Sequence, residues 1–180
     1  MKTVSKNSSL RIWLAIVGTA TLIIGAAYTM VQQSTRLSAN DAPIAKAQQV
    51  KAELASGAAP TDVVPSLKVN LQNDINVFVI VTDKNQNVLA SSALLNGKTP
   101  LPPAGIFGYA KIHGSDTLTW QPSDNVRIAS HTKTYNDGFI ITGQSLDPAE
   151  ERINRYGLIA LAAWLTVILW TTAVLLLVKR

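Results

Sequence analysis

Cysteine is absent from the sequence. That removes disulfides, thiolate metal sites and cysteine nucleophiles. Histidine is scarce: the two, His113 and His131, lie 18 residues apart on different expected elements. Neither has a metal-ligand partner at close spacing. No glycine-rich phosphate loop occurs, and no serine stands in a G-x-S-x-G nucleophile elbow. A Ser–His–Asp set can be assembled only from scattered residues. No metal, no cofactor and no enzymatic activity are therefore expected.

Acidic residues are missing from both tails. Lys2, Lys6, Arg11, Lys179 and Arg180 carry five positive charges with no acid among them. The middle of the chain holds eleven basic and eleven acidic residues and is neutral. The net charge of +5 thus belongs to the tails. It reads as a signal of membrane orientation rather than a nucleic-acid footprint, and no nucleic-acid partner is expected.

Two long uncharged runs are present. Ile12 to Val31 is 20 residues and Gly157 to Val178 is 22. About 20 apolar helical residues cross a bilayer. The expected organisation is a cytoplasmic tail (1–11), a first transmembrane helix (12–31), an extracytoplasmic domain (32–155), a second transmembrane helix (156–178) and a cytoplasmic end (179–180). Basic residues beside a span favour the cytoplasm. That places both termini inside, although Arg36, Arg152 and Arg155 lie next to the spans on the other side. A cleaved signal peptide is the rival for the first run, with Gly25-Ala26-Ala27 as small residues for cleavage. The run is longer than a usual h-region and continues through Tyr28, Met30 and Val31.

The 124-residue middle segment, Gln32–Arg155, has the length of one domain with its own core. Pro43–Ser56 has helical spacing, with Ile44, Ala47, Val50 and Leu54 on one face. Asp62–Asn73 reads as a second short helix through Val63, Leu67 and Leu71. Val77–Val81 is a buried strand, joined through the turn residues Asp83–Asn87 to a partner at Val88–Ser92. Gly97–Pro103 is a loop with three prolines. Pro103 can open a helix with Ile106, Phe107 and Ala110 facing the core and Gly114 ending it. Three more strands follow: Thr117–Gln121, Val126–Tyr135 and Gly138–Ser145. Turn residues Pro122–Asn125 and Asn136-Asp137-Gly138 separate them. The expected class is α+β with a five-stranded antiparallel sheet.

Asp147-Pro148-Ala149-Glu150 reads as N-cap, proline at N1 and glutamate at N3, a capping-box-like start. A helix of about 31 residues follows, roughly 46 Å long at ~1.5 Å per residue. The last strand therefore feeds through one turn into the second span. This helix is either a transmitter of strand movement or a firm anchor. Within the spans, Thr21, Gly25 and Thr29 form a small-residue stripe, with Ala162 and Thr166 as its counterpart. Trp164 and Trp170 lie inside the second span, where they pack on a neighbouring helix or touch lipid.

From about Asn76 onward the chain resembles the extracytoplasmic sensor regions of bacterial two-component histidine kinases. The residues that carry the resemblance are Leu118-Thr119-Trp120-Gln121-Pro122, Val126-Arg127-Ile128-Ala129, Gly138 through Leu146, and Glu150-Glu151-Arg152-Ile153. The resemblance implies a PAS-like or Cache-like domain between two membrane helices, with a role in signal input. Such a kinase continues past the second span into catalytic domains. Here only Lys179 and Arg180 remain, so no kinase activity is carried over.

A small-molecule pocket is the candidate chemistry. Arg127, His131 and Tyr135 share one face of a strand by even spacing, and Trp120 lies on the adjacent strand. Tyr109, on the intervening helix, is placed to close over that face, and Arg127 to hold a carboxylate or phosphate by paired hydrogen bonds. The competing reading is a solvated sheet face with an aromatic covering it. The expected function is a membrane-anchored, sensor-like protein of the plasma membrane that acts in signal transduction through a separate partner. The expected partners are the membrane, a histidine kinase or transporter, a second copy of the chain and a small-molecule ligand. The alternative is a structural or interaction module of an envelope complex with no small ligand.

Overall fold

A computed structural model describes residues 6–136 and 138–178. Lys2, Lys179 and Arg180 of the tails, and Asp137 of the last turn, lie outside the described residues. The chain divides into two compact units. One comprises Arg36–Glu150, and the other combines the segment up to Thr35 with that from Glu151.

Helices and strands come in runs along the chain: three helices, four strands, one helix, three strands and a final helix. Helix α1 spans Lys6–Ser38, α2 Asp41–Ala55 and α3 Pro60–Val63. Strands β1 (Val69–Asn70), β2 (Phe78–Asp83), β3 (Val88–Ser91) and β4 (Ala93–Leu94) follow. After α4 (Gly105–His113) come β5 (Ser115–Ser123), β6 (Val126–Tyr135) and β7 (Gly138–Ser145). Helix α5 runs from Asp147 to Val178. The class is α+β, with a five-stranded antiparallel sheet of order β3-β2-β7-β6-β5.

Both faces of the sheet are covered. On one face, Ile106, Phe107 and Ala110 of α4 join Phe78, Ile80, Ile128, Phe139 and Ile141. The Phe107 and Phe139 rings meet edge to face, with centroids 5.0 Å apart. On the other face, Ala47 and Val50 of α2 pack with Val79, Val81 and Ile140. Each Ile or Val fully buried in these layers contributes about 1.5–3 kcal/mol relative to exposure. Helix α2 is also tied by hydrogen bonds. Thr142 Oγ1 donates to the Pro43 carbonyl at 2.7 Å, and Gln144 Nε2 donates to the Ala39 carbonyl, just before α2, at 2.9 Å.

Glycine matters most at two positions in β7. A Cβ on Gly138 would lie 2.0 Å from the Thr82 carbonyl oxygen, and one on Gly143 would lie 2.7 Å from the Phe78 ring. Gly143 is the register partner of Phe78, so its missing side chain makes room for that ring.

The expected second helix does not extend from Asp62 to Asn73. Helix α3 stops at Val63, and Val64 is extended with ψ 127°. Pro65 is the cause: its ring disfavours the helical region for the residue before it and it lacks a donor. The chain instead forms β1, which pairs in parallel with β4 through Val69↔Ala93 and Asn70↔Leu94. Leu71 is buried while Leu67 is exposed, which breaks the expected face.

Helix α5 begins one residue earlier than the capping box implied. Glu150 N–H donates to the Leu146 carbonyl at 2.9 Å, so Leu146 occupies the cap position. The Asp147 N–H donates to Ser145 Oγ at 3.2 Å. The Glu150 carboxylate turns to Arg127 rather than back to the cap.

The second unit is an antiparallel pair formed by α1 and α5. Trp13 Nε1 donates to Thr172 Oγ1 at 3.2 Å, and Trp164 Nε1 donates to Thr21 Oγ1 at 2.8 Å. Tyr28 lies over Gly157, where an added Cβ would be 3.2 Å from its hydroxyl. Each step of eight and then seven residues along α1 is matched by an equal step back along α5. The half-buried residues repeat at spacings of three and four: Trp13, Val17, Ala20, Ile24, Tyr28 and Val31 on α1, and Gly157, Ala160, Trp164, Val167, Thr171 and Leu175 on α5. Such a repeat keeps one seam facing a partner helix. Of the expected small-residue stripe, Thr21 meets the partner helix through Trp164, and the rest does not follow the seam. A Cβ on Gly25 would meet nothing within 4 Å, and the Thr29 and Thr166 hydroxyls bond carbonyls of their own helices. Large side chains opposite a small one set this contact, so the helices meet through Trp–Thr and Tyr–Gly pairs.

Candidate functional site

The five residues singled out in the sequence do not converge. Trp120 faces Ile128 in register and packs on the α4 side of the sheet. Tyr109 is half exposed and stacks on His113, with ring centroids 3.9 Å apart. Helix α4 lies on the face opposite to Arg127, His131 and Tyr135, so Tyr109 cannot close over them. These three do share a face, but helix α2 covers its middle, at His131. At ~3.3 Å per strand residue, consecutive members stand about 13 Å apart. They cannot line one small cavity.

Each has a distinct environment. Arg127 is exposed, and its guanidinium is engaged by Glu150 in the first turn of α5. The Arg127 carbonyl also accepts from the Leu146 N–H at 2.9 Å. Arg127 therefore clamps the turn between β7 and α5, and its charge is already partnered. His131 is 6% exposed; its Nδ1 contacts Thr117 Oγ1 at 2.9 Å, and its buried Nε2 has no hydrogen-bond partner. Burial pushes the His131 imidazole below its ordinary value of 6.5; nearby Lys133 adds to this, while Asp116 opposes it.

Tyr135 lines a pocket. Its hydroxyl donates to the Thr82 carbonyl at 3.2 Å, which fixes the ring as a wall. The pocket, of 220 Å³, lies at the C-terminal end of α2. Leu54, Ala58, Pro60 and Leu89 supply apolar surface, and Lys51 and Asn136 supply polar groups. The sequence contained one signal for this place. Lys51 stands four residues after Ala47 and beside Val50 on the core-facing stripe of α2, an uncommon position for a cation. Leu89 and Asn136 come to the pocket through tertiary packing and gave no such signal.

The turn between β2 and β3 is well ordered by hydrogen bonds. Asp83 Oδ1 accepts from the Asn85 and Asn87 N–H groups, each at 2.8 Å, and Oδ2 from Asn87 Nδ2 at 2.8 Å. The Asn87 side-chain bond is the largest influence holding the Asp83 carboxyl below its ordinary value, against a smaller opposing effect of desolvation. Among the described residues no group of three or more His, Asp and Glu is placed to hold a metal ion.

Outside their seam, α1 and α5 display large apolar side chains. Leu22, Ile23 and Met30 on α1, and Leu158, Leu169 and Trp170 on α5, are all well exposed. Both helices are long and apolar enough to cross a membrane. Compared with known proteins, the chain matches no family model, no curated protein and no solved structure.

Proposed function

We propose that this chain is a membrane-anchored sensor-like protein. Helices α1 and α5 span the plasma membrane with both ends in the cytoplasm. The Arg36–Glu150 unit stands outside as a PAS-like or Cache-like input domain, and signals pass to a separate membrane partner such as a histidine kinase or a transporter. The observation that carries the reading is the join between sheet and helix. The central strand β7 ends at Ser145, α5 begins at Asp147, and Arg127 holds that corner from β6. A shift of β7 then reaches α5 through one residue, Leu146. A ligand can drive such a shift only by its difference in affinity between two states.

A second reading is a structural or interaction module. It is favoured by the expected ligand face, whose middle, at His131, is filled by α2 rather than open. Crosslinking in native membranes followed by mass spectrometry separates the two. Specific recovery of a kinase or transporter, lost when the Arg127–Glu150 corner is disrupted, supports the sensor. Recovery of the chain's own copies alone supports a self-associating scaffold.

A further inference from the structure

We propose that the pocket at the end of α2 binds a small organic monocarboxylate with an apolar body. The volume of 220 Å³ lies below the ~300–1,000 Å³ usual for pockets that take drug-sized ligands. That is room for an aromatic or branched acid and too little for a nucleotide or an oligosaccharide. The walls decide the body of the ligand. Leu54, Ala58, Pro60 and Leu89 offer hydrocarbon, and the Tyr135 ring joins them with its hydroxyl bonded to the Thr82 carbonyl. Leu89, at 47% exposure, is a large apolar side chain on an edge strand that a bound ligand would cover.

Lys51 decides the head group. The single ion pair among the described residues is Arg127–Glu150, so the Lys51 ammonium meets no carboxylate there within ion-pair distance. An ammonium at the edge of an apolar pocket favours an anion, and partial desolvation strengthens the attraction. One lysine with one neutral amide, Asn136, matches a single negative charge better than a phosphate dianion. Lysine stems do cover apolar surface on their own, which is why the test separates charge from shape.

The pocket is built from α2, the link between α2 and α3, β3 and the turn between β6 and β7. A ligand there would bridge the covering helix to the hairpin that leads into β7. This deepens the sensor reading, and only the signalling consequence rests on it.

The experiment uses the full chain in nanodiscs with para-fluorobenzoate as the probe, followed by fluorine NMR. Saturable binding is expected, with the neutral para-fluorobenzamide about tenfold weaker or worse, as expected for a lost charge-assisted hydrogen bond. Lys51→Met should weaken the acid about tenfold and leave the amide unchanged. Ala58→Trp, which fills the pocket, should abolish both while the melting temperature stays within a few degrees. No saturable binding to the unaltered chain, or equal binding by both variants, overturns the assignment. Binding that leaves partner crosslinking unchanged supports the pocket and counts against the sensor reading.

Discussion

Arg127 and Glu150 are joined across the corner where the sheet becomes helix α5. The pair is well exposed at both ends, so its contribution to stability is modest, about 0.2–1 kcal/mol. The Leu146 N–H to Arg127 carbonyl bond does not depend on the side chain. Arg127→Ala should therefore lower the melting temperature slightly and leave the fold intact. The reciprocal exchange, Arg127→Glu with Glu150→Arg, should recover most of the loss. A double-mutant cycle showing no coupling would remove the clamp.

Gly143 is a tight point in the core that one methyl group can probe against a side chain. Its added Cβ would meet the Phe78 ring at 2.7 Å and the Ala129 carbonyl at 2.8 Å. Gly143→Ala should destabilise the domain by about 1–3 kcal/mol, the usual cost of overpacking. Combining it with Phe78→Leu should return part of that loss. Thermal unfolding of the full chain in detergent reads both.

His131 makes stability sensitive to acid. Its folded-state affinity for protons is depressed by burial, so the unfolded chain binds a proton at higher pH than the folded one. The associated stability is complete above the ordinary value of 6.5 and is lost as pH falls from there through the lower folded-state value. Lys133 and Asp116 are the charged neighbours that tune it. His131→Leu should flatten the melting temperature over that window. A slope unchanged by the substitution would assign the acid response to other groups.

The α1–α5 seam is testable because the chain has no cysteine of its own. Val17 and Ile168 occupy matching half-buried positions on the two helices. The Val17→Cys, Ile168→Cys variant should form an intramolecular disulfide, whereas a pair at the exposed Leu22 and Leu169 should not. Thr21→Val removes the acceptor of the Trp164 N–H and should cost about 0.6 kcal/mol, the usual value of an interhelical hydrogen bond in a bilayer.

Local pattern carried much of this architecture. The alternation and turn chemistry of Val88 to Ser145 placed the sheet strands within a few residues, and Ile106, Phe107, Ala110 and Gly114 took the expected roles in α4. Pro65 was a readable signal against the Asp62–Asn73 helix, because a proline inside a helical pattern breaks it. The two-residue strands β1 and β4 were too short to carry a period. The candidate site was the least legible part. Even spacing put Arg127, His131 and Tyr135 on one face, but which helix covers that face is a long-range matter. Ala47 and Val50 of α2 settle it by packing on Val79, Val81 and Ile140. The helix seam was legible only in part: Thr21 and Trp164 do meet across it, but small residues suggested small-on-small contact, while each contact is a large ring against a small neighbour on the opposite helix.

In the proposed reading, α1 and α5 anchor the chain in a membrane with the Arg36–Glu150 unit outside. Single cysteines at Lys84 in the β2–β3 turn, at Asn125 between β5 and β6, and at Ser5 near the start can be labelled with a membrane-impermeant maleimide in intact cells. Lys84→Cys and Asn125→Cys should be labelled in intact cells, and Ser5→Cys only after permeabilisation. Labelling of all three only after permeabilisation, or recovery of the chain in the soluble fraction, would contradict that reading.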